Sequence, residues 1–298
     1  MNLHQLHIFT AVARLGSFSR AAEELSISQP SVSIQVADLE RSLGVDLFEK
    51  LGKRIYLTEA GRILDEYARR MLGLAEEARI ALEDIKGLHR GRLMVGATTT
   101  PGTYILPRVI AAFQERHPQV AVVLEIADAK RIQERLLRNE LDLGVVGWDV
   151  TAQDLRAEPL LDDELVLVAS PSHPLATAGR AHAKGLRDHR LILRERGSGT
   201  REALEAALRE AGVAIAPSME LGTGEAVKEA VVAGLGVTII SRLAVAGDVH
   251  AGRLVIVPMP DLTIRRRFSF VYHRDKRFSQ AITTFRAMLL ASVTTVAS

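Results

Sequence analysis

The stretch from Ser17 to Glu40, SFSRAAEELSISQPSVSIQVADLE, leaves room for little besides two helices joined by a very short turn. In the first, Ser19 is placed to cap the N-terminus, and Ala21, Ala22 and Leu25 face inward, the alanines permitting close approach of a neighbouring helix. Ser28 can cap the second, and Pro30 sits in its first turn, where a missing N–H costs nothing. Val32, Val36, Leu39 and Leu43 follow at spacings of four, three and four and form the buried stripe. At about 100° per residue, Pro30, Ser33, Ile34 and Ala37 fall opposite that stripe, with Gln29 and Ser31 at the open N-terminal end. This outer face carries no charge.

A solvated helix carries charge on its outer face, whereas one that enters a DNA major groove needs small residues, hydrogen-bonding side chains and apolar atoms for thymine methyl groups. The second description fits, and helix-turn-helix units dock with the N-terminal part of their second helix on base edges. An ordinary αα-hairpin in a bundle is the alternative on these residues alone. The flanks add context. Leu3, Leu6, Phe9 and Ala13 suggest a supporting helix ending near Gly16, and Gly44 stops the reading helix. LFEKLGKRIYLT then has the pattern of a short β-hairpin, with Lys50, Lys53 and Arg54 clustered about Gly52. Such a wing would set cations over phosphates, the sequence-independent part of DNA affinity, although an isolated basic cluster is more often a solvated turn.

These residues resemble the N-terminal domain of LysR-type transcriptional regulators. The resemblance runs in order through the AA-x-x-L of the second helix, SQPSVS at the reading helix, LE-x-x-LG-x-x-LF after it, and LT-x-AG at the next helix start. It implies that Gln29, Pro30, Ser31, Ser33 and Ile34 face the groove and that Lys53 and Arg54 meet the backbone or the minor groove, with Lys50 beside them. Lys50 departs from the family, which more often has Arg there, and this weakens any argument for bidentate recognition at that position. The implied architecture is α/β with an N-terminal all-α winged helix-turn-helix domain, a long linker helix and a two-lobed effector domain like a periplasmic binding protein. The implied partners are double-stranded promoter or operator DNA, a small metabolite, further copies of the chain as homodimer or homotetramer, and RNA polymerase.

Composition bounds the alternatives. With 298 residues, 47% hydrophobic and 25% charged, the chain is ordinary globular material, long enough for two or three domains. Zero cysteines exclude disulfides, thiolate metal sites and thiol catalysis. The N-terminus opens on an amphipathic helix rather than a basic segment followed by an apolar core, and no apolar run approaches the length of a membrane span, so a cytoplasmic location without membrane contact is expected. A net charge of +2 permits nucleic-acid binding without demanding it. Residues 1–58 hold six Lys or Arg and six Asp or Glu, so this domain is formally neutral and a single copy should bind DNA weakly. Dimerisation would repair this.

The segment from Thr58 to about His89 offers the dimer element within a linker region of 59–90. Thr58 caps it, Glu59 suits the N-terminal dipole, and Ile63, Tyr67, Met71, Leu74, Ala78, Leu82 and Ile85 approximate a heptad seam. At about 1.5 Å per residue the helix would be roughly 45 Å long. Packing against its own chain is the alternative. Gly87-Leu88-His89-Arg90-Gly91 then breaks the helix as a short hinge.

From residue 91 the texture changes to alternating strands and helices. RLMVGAT, VAVVLEIA and LDLGVVG read as strands separated by helices over 101–116 and 131–138, a βαβαβ order that argues for a parallel sheet. A second set follows: ELVLVAS, RLILRE, a helix over 200–211, SMEL, a helix over 225–233, GVTII and RLVIVP. RRFSFVYH and a helix from Phe278 close the chain. The expected effector domain is 91–298, with lobe I over 91–161 and 268–298 and lobe II over 162–267.

Ligands on such sheets lie beyond the carboxyl ends of the strands, where helix N-termini point at the cleft. Thr98, Thr99 and Thr100 offer hydroxyls at one such helix start. Ser198, Gly199, Thr200 and Arg201 offer hydroxyls, close backbone approach and a guanidinium at another in the second lobe. Both suit a small anion, an inorganic oxyanion or a carboxylated or phosphorylated metabolite, with Thr223 a weaker candidate. Helix capping alone is the competing explanation for each. The GSGTR run also resembles that of LysR-type regulators concerned with carbon fixation or sulfur metabolism.

Rival chemistry lacks a constellation. Gly222-Thr223-Gly224 opens a helix after a strand, but Val227 stands where a dinucleotide fingerprint needs its third glycine. No metal pair emerges from His4 and His7, and no nucleophile elbow, Walker loop or carboxylate pair stands out, so neither cofactor, metal site nor catalytic residue is expected. A stand-alone solute-binding or enzyme domain with an accessory helix bundle remains the second class. The SQPSVS helix with its basic wing favours the ligand-responsive DNA-binding regulator.

Overall fold

The computed structural model describes residues 1–51, 54–85, 91–147, 150 and 152–296. The chain divides into two compact units, Met1–Leu88 with Leu137–Glu140, and His89–Leu136 with Leu141–Ser298. Gly52 and Lys53 lie outside the described residues, as do 86–90, which take in all of the expected hinge except Gly91.

In the first unit, α1 (Leu3–Leu15) starts on a capping box. Asn2 accepts from the Gln5 backbone N–H at 2.9 Å while the Gln5 side chain accepts from that of Asn2 at 3.1 Å. Helix α2 (Phe18–Leu25) is capped by Ser17, which accepts from the Arg20 N–H, and not by Ser19 as the sequence suggested. The helix begins one residue after Ser17, so Ser19 already lies inside it. The turn to α3 (Gln29–Leu43) passes through Ser26 in the left-handed region at φ 56°, and Ser28 caps α3 by accepting from the Ser31 N–H. Ile8, Ala11, Val12, Ala21, Ala22, Val32 and Val36 form one core. Leu6, Phe9, Leu39, Leu47 and Ala68 form another. Leu43, expected on the buried stripe, is 38% exposed as the last residue of α3, and Leu3 is 50% exposed as the first of α1.

The wing is present as β1 (Phe48–Leu51) antiparallel to β2 (Arg54–Leu57), with Phe48 opposite Leu57. Phe48 also packs its ring against Phe9 and Phe18, fastening the hairpin to the helices. Helix α4 (Glu59–Ile85) follows at once. Thr58 gives its hydroxyl hydrogen to the Asp46 carbonyl and accepts from the Gly61 N–H. Glu40 accepts from the N–H groups of Leu47 and Phe48. These bonds tie the last turns of α3 and the start of α4 to the segment that opens β1.

The second unit begins with β3 (Gly91–Ala97), α5 (Thr99–Tyr104), α6 (Leu106–Arg116), β4 (Val120–Ile126), α7 (Ala129–Leu137) and β5 (Leu143–Val146). The single helix expected over 101–116 is broken at Ile105, because Pro107 has no N–H to donate back and its ring crowds the preceding turn. Next come the long strand β6 (Leu155–Ala169), α8 (Pro174–Ala178), β7 (Ile192–Arg194), α9 (Gly199–Glu210), β8 (Met219–Leu221) and α10 (Gly224–Val232). The chain ends with β9 (Thr238–Ser241), α11 (Arg242–His250), β10 (Val255–Val257), β11 (Ile264–His273) and α12 (Gln280–Val296). Sequence patterning missed α8 and α11: the first is only five residues long, and the second, RLAVAGDVH, contains Gly247 and shows little separation of apolar from polar faces.

The main sheet runs β10-β6-β11-β5-β3-β4, with β9 also pairing β6. Strand β3 is parallel to both β4 and β5, as the βαβαβ order predicts, and the other pairings in this sheet are antiparallel. A separate parallel pair joins β7 and β8. The long strands β6 and β11 carry the chain from one core to the next, and their register slips between Phe268 and Ser269, opposite Leu161 and Pro159. One core gathers Leu93, Val95, Phe113, Phe268, Phe270 and Phe285. Two others lie on opposite faces of β6, Leu165 and Leu167 contributing to one and Val166 and Val168 to the other, as strand alternation requires.

Candidate DNA-reading helix and anion cleft

The exposed side of α3 begins at its N-terminus. Gln29, Pro30, Ser31 and Ile34 are exposed and Ser33 is half-buried. Gln29 donates from Nε2 to Ser33 Oγ at 2.8 Å, and the Ser28 and Ser31 hydroxyls lie 2.7 Å apart. Polar side chains here therefore hold one another rather than the body of the unit. Ile34 is 58% exposed, unusual for an isoleucine on an otherwise polar surface. On the wing, Lys50 is exposed opposite Ile55, and Arg54 opens β2 opposite Leu51. Lys53 lies outside the described residues.

In the second unit, β3 leads through Thr98 into α5, and β7 leads through Ser198 into α9, so two helix N-termini carry the expected hydroxyls. What brings them together is Arg266 on β11, which sequence reasoning did not single out. Its guanidinium donates from Nη2 to Thr100 Oγ1 and from Nη1 to Thr200 Oγ1, each at 3.0 Å, and from Nε to Asp163 Oδ2 at 2.8 Å. The side chain is 8% exposed and its guanidinium carbon lies 4.9 Å from the centre of the Phe268 ring. Asp163 is held in turn by the Ser241 hydroxyl at 2.6 Å. Burial raises the Asp163 carboxyl above its ordinary value against the pull of Arg266, and burial lowers the proton affinity of Arg266 against the pull of Asp163. A guanidinium has five N–H donors, so two remain beyond these three bonds among the described residues. A buried cation with donors to spare, between two helix N-termini, is a place for an anion.

The other expected residues divide. Thr98 Oγ1 accepts from the Gly147 N–H at 3.2 Å, tying the start of α5 to the end of β5. Thr99 is half-buried as the first residue of α5. Ser198 is buried and makes no side-chain hydrogen bond among the described residues. Gly199 approaches Gly147, whose carbonyl oxygen would lie 3.5 Å from a Cβ placed there. Thr223 caps α10 by accepting from the Ala226 N–H at 3.1 Å. Arg201 does not offer the free guanidinium expected of it. Its Nε meets Glu205 at 2.7 Å, its Nη1 meets Glu220 at 2.6 Å and the Arg194 carbonyl at 2.9 Å, so it fastens α9 to β7 and β8.

Arg266 had left a signal. In Ile264-Arg265-Arg266-Arg267-Phe268 the strand alternation puts Arg266 on the same side as Ile264 and Phe268, both buried, and leaves Arg265 and Arg267 outward. A run of three arginines reads as solvated charge until that period is applied.

Two family models match the chain: the bacterial regulatory helix-turn-helix protein of the lysR family over residues 3–62, and the LysR substrate binding domain over residues 86–294. The RuBisCO operon transcriptional regulator of Allochromatium vinosum is 38% identical over 291 residues, 98% of this chain and 96% of the relative. Full-length OxyR from Pseudomonas aeruginosa has a similar fold, with a TM-score of 0.75 at 25% identity over 98% of this chain and 94% of that one. The regulatory domain of CcmR from Synechocystis, solved in complex with 2-PG, matches at a TM-score of 0.63 and 32% identity over 68% of this chain and 97% of that one. Among the described residues no helix is long and apolar enough to cross a membrane.

Proposed function

Because the chain belongs to the LysR family of bacterial transcriptional regulators, we propose that it reads a promoter site through Gln29, Pro30, Ser31, Ser33 and Ile34 and answers a small anionic metabolite held beside Arg266. Lys50, Lys53 and Arg54 supply phosphate contacts from the wing. Thr98, Thr99, Thr100, Ser198, Gly199, Thr200 and Arg266 form the anion site, and Thr223 lies at its margin. Arg201 holds α9 in place without touching the ligand.

The observation that carries this reading is one guanidinium bonded to Thr100 at one helix start and to Thr200 at the other. An anion that takes up its remaining N–H groups gains charge-assisted hydrogen bonds from both sides. The regulated genes are those of carbon fixation, in keeping with the RuBisCO operon regulators, and 2-PG, the ligand of the Synechocystis CcmR domain, is the first effector to try. The protein acts in the cytoplasm as a dimer or tetramer assembled through α4, and it carries out no catalysis. Thermal unfolding of the full chain against sulfate, phosphate and a panel of carboxylated and phosphorylated metabolites tests the reading. A ligand of the folded state raises the midpoint in proportion to the logarithm of its concentration. A panel in which no anion moves the midpoint, with salt matched, contradicts it.

A further inference from the structure

A dense run of positive charge lies in the second unit, between α8 and β7. Residues 180–190, RAHAKGLRDHR, hold four Lys or Arg against Asp188 alone, a net charge of +3 where the whole chain carries +2. A short 3-10 helix, Ala183–Asp188, gives that run its shape, because such a helix turns once every three residues and stacks side chains at that spacing. Ala183 and Leu186, 3% and 1% exposed, form the inner edge, and Lys184 and Arg187 line up on the outside. At about 2 Å of rise per residue these two cations stand roughly 6 Å apart along the axis. Arg180 and Arg190 flank them. The backbone beneath is pinned at both ends. The Ala181 N–H donates to the Pro258 carbonyl at 2.9 Å, the Ala183 N–H to Asp261 at 3.0 Å, and the Arg190 carbonyl accepts from the Val237 N–H at 2.9 Å. The rings of His189 and His173 meet with their centres 5.3 Å apart.

Arg180, Lys184, Arg187 and Arg190 are all exposed, and none has an ion pair or a side-chain hydrogen bond among the described residues. Elsewhere on this unit Arg242, Arg253, Arg267 and Arg274 each lie against a carboxylate. Asp261, on the loop before β11, is taken up by the Ala183 N–H and by His182 at 3.6 Å. Two kinds of macromolecule answer such a strip, an acidic protein and a nucleic acid. A protein interface is built round an apolar or aromatic centre, and none of the large exposed apolar side chains of the described residues belongs to 170–190 or to 258–263. Phosphate contacts need no such centre. DNA is the partner of this family, and residues 1–58, with as many carboxylates as cations, bring no net charge to it.

We propose that Lys184, Arg187 and Arg190, with Arg180 beside them, form a second phosphate-contacting surface through which the second unit itself holds duplex DNA. This rests on the family's DNA binding and is independent of the anion cleft. The contact carries no base information, so it raises affinity for all sequences alike and leaves the choice of site to α3.

The salt dependence of binding between the full chain and mixed-sequence duplex DNA tests it, because phosphate contacts supply essentially all of that affinity. Each contact contributes about 0.9 to the slope of log affinity against log salt. The Lys184→Gln/Arg187→Gln/Arg190→Gln variant should therefore lose about two to three from the slope per copy of the chain, and Arg187→Gln alone about one. A control with the same change of charge, Arg209→Gln/Arg265→Gln/Arg277→Gln, at three exposed cations elsewhere on the unit, should keep the parent slope. All six side chains are exposed, and equal unfolding midpoints in the parent and both triple variants show that the slope and not the fold has changed. The proposal is overturned if the strip variant keeps the parent slope or if the control loses as much. A strip variant that keeps the slope on DNA but binds poly-glutamate more weakly than the parent overturns it in favour of an acidic protein.

Discussion

Gly61 shows how one missing side chain sets the geometry of a domain. A Cβ there would stand 2.1 Å from the Leu47 carbonyl oxygen, and backbone cannot yield as a flexible side chain could. Gly61→Ala should therefore destabilise the N-terminal unit by about 1–3 kcal/mol, as overpacking does, and an unchanged unfolding midpoint would remove this account of the LT-x-AG motif. Asp248 makes a prediction in pH. Burial raises its carboxyl, but hydrogen bonds and charge from Lys228 and Arg253 outweigh that and hold it below the usual carboxylate range. A carboxyl lowered in the folded state contributes stability that is present above its unfolded value, about 4, and is lost as the pH falls through the lowered one. Urea midpoints measured down the acid limb should fall less steeply in Asp248→Asn than in the parent, and parallel limbs would contradict the assignment. At this scale the sequence was only partly legible. Thr100, Ser198 and Thr200 could be picked out because a hydroxyl beside a helix start is a local pattern. Arg201 could not be judged, because one of its carboxylates, Glu220, arrives from a strand nineteen positions along the chain.

Among the elements, α3 was legible in full outline because its apolar stripe, its cap and its proline all fall within the helix. The wing was read from a glycine between two short alternating runs. Gln29→Ala or Ser33→Ala should cost on the order of 1–3 kcal/mol at the cognate site, while Arg54→Ala should weaken all sequences alike and lower the salt slope. Footprinting with salt titration separates the two, and a change of sequence preference larger in Arg54→Ala than in Gln29→Ala would reverse the roles given to helix and wing. For α4, the seam read from the sequence leaves Ile63, Tyr67, Leu74 and Leu82 more than half exposed, while Ala68 is buried and Leu64 half-buried against α1 and α3. A row of large apolar side chains in water calls for a partner helix. Leu74→Asp or Leu82→Asp would place an unpaired charge in that seam, and sedimentation should then find monomers that no longer occupy two half-sites cooperatively. A dimer that persists would put the interface elsewhere.

Across the whole molecule, alternation of strands and helices foretold the parallel β4-β3-β5 segment, since each parallel neighbour needs a crossover helix. It did not foretell that β6 and β11 run on through both sets of cores, because a 15-residue strand that changes partners along its length has no single hydrophobic period. Those strands, with the register slip at Phe268 opposite Leu161 and Pro159, are where the two lobes expected from the sequence would pivot. A ligand moves such an equilibrium only by its difference in affinity for the two states, so an effector at the proposed site would have to bind better where Thr100 and Thr200 share Arg266. The most direct measurement is calorimetric titration of 2-PG into the full chain, its Thr100→Val variant and its Ser198→Ala/Thr200→Val variant, each followed by DNA-bending assays with and without the ligand. Both variants should bind the anion more weakly and respond to it less on DNA, while ligand-free DNA binding stays at the parent level. Anion affinity equal to the parent's in both variants would mean that the cleft around Arg266 is not the effector site.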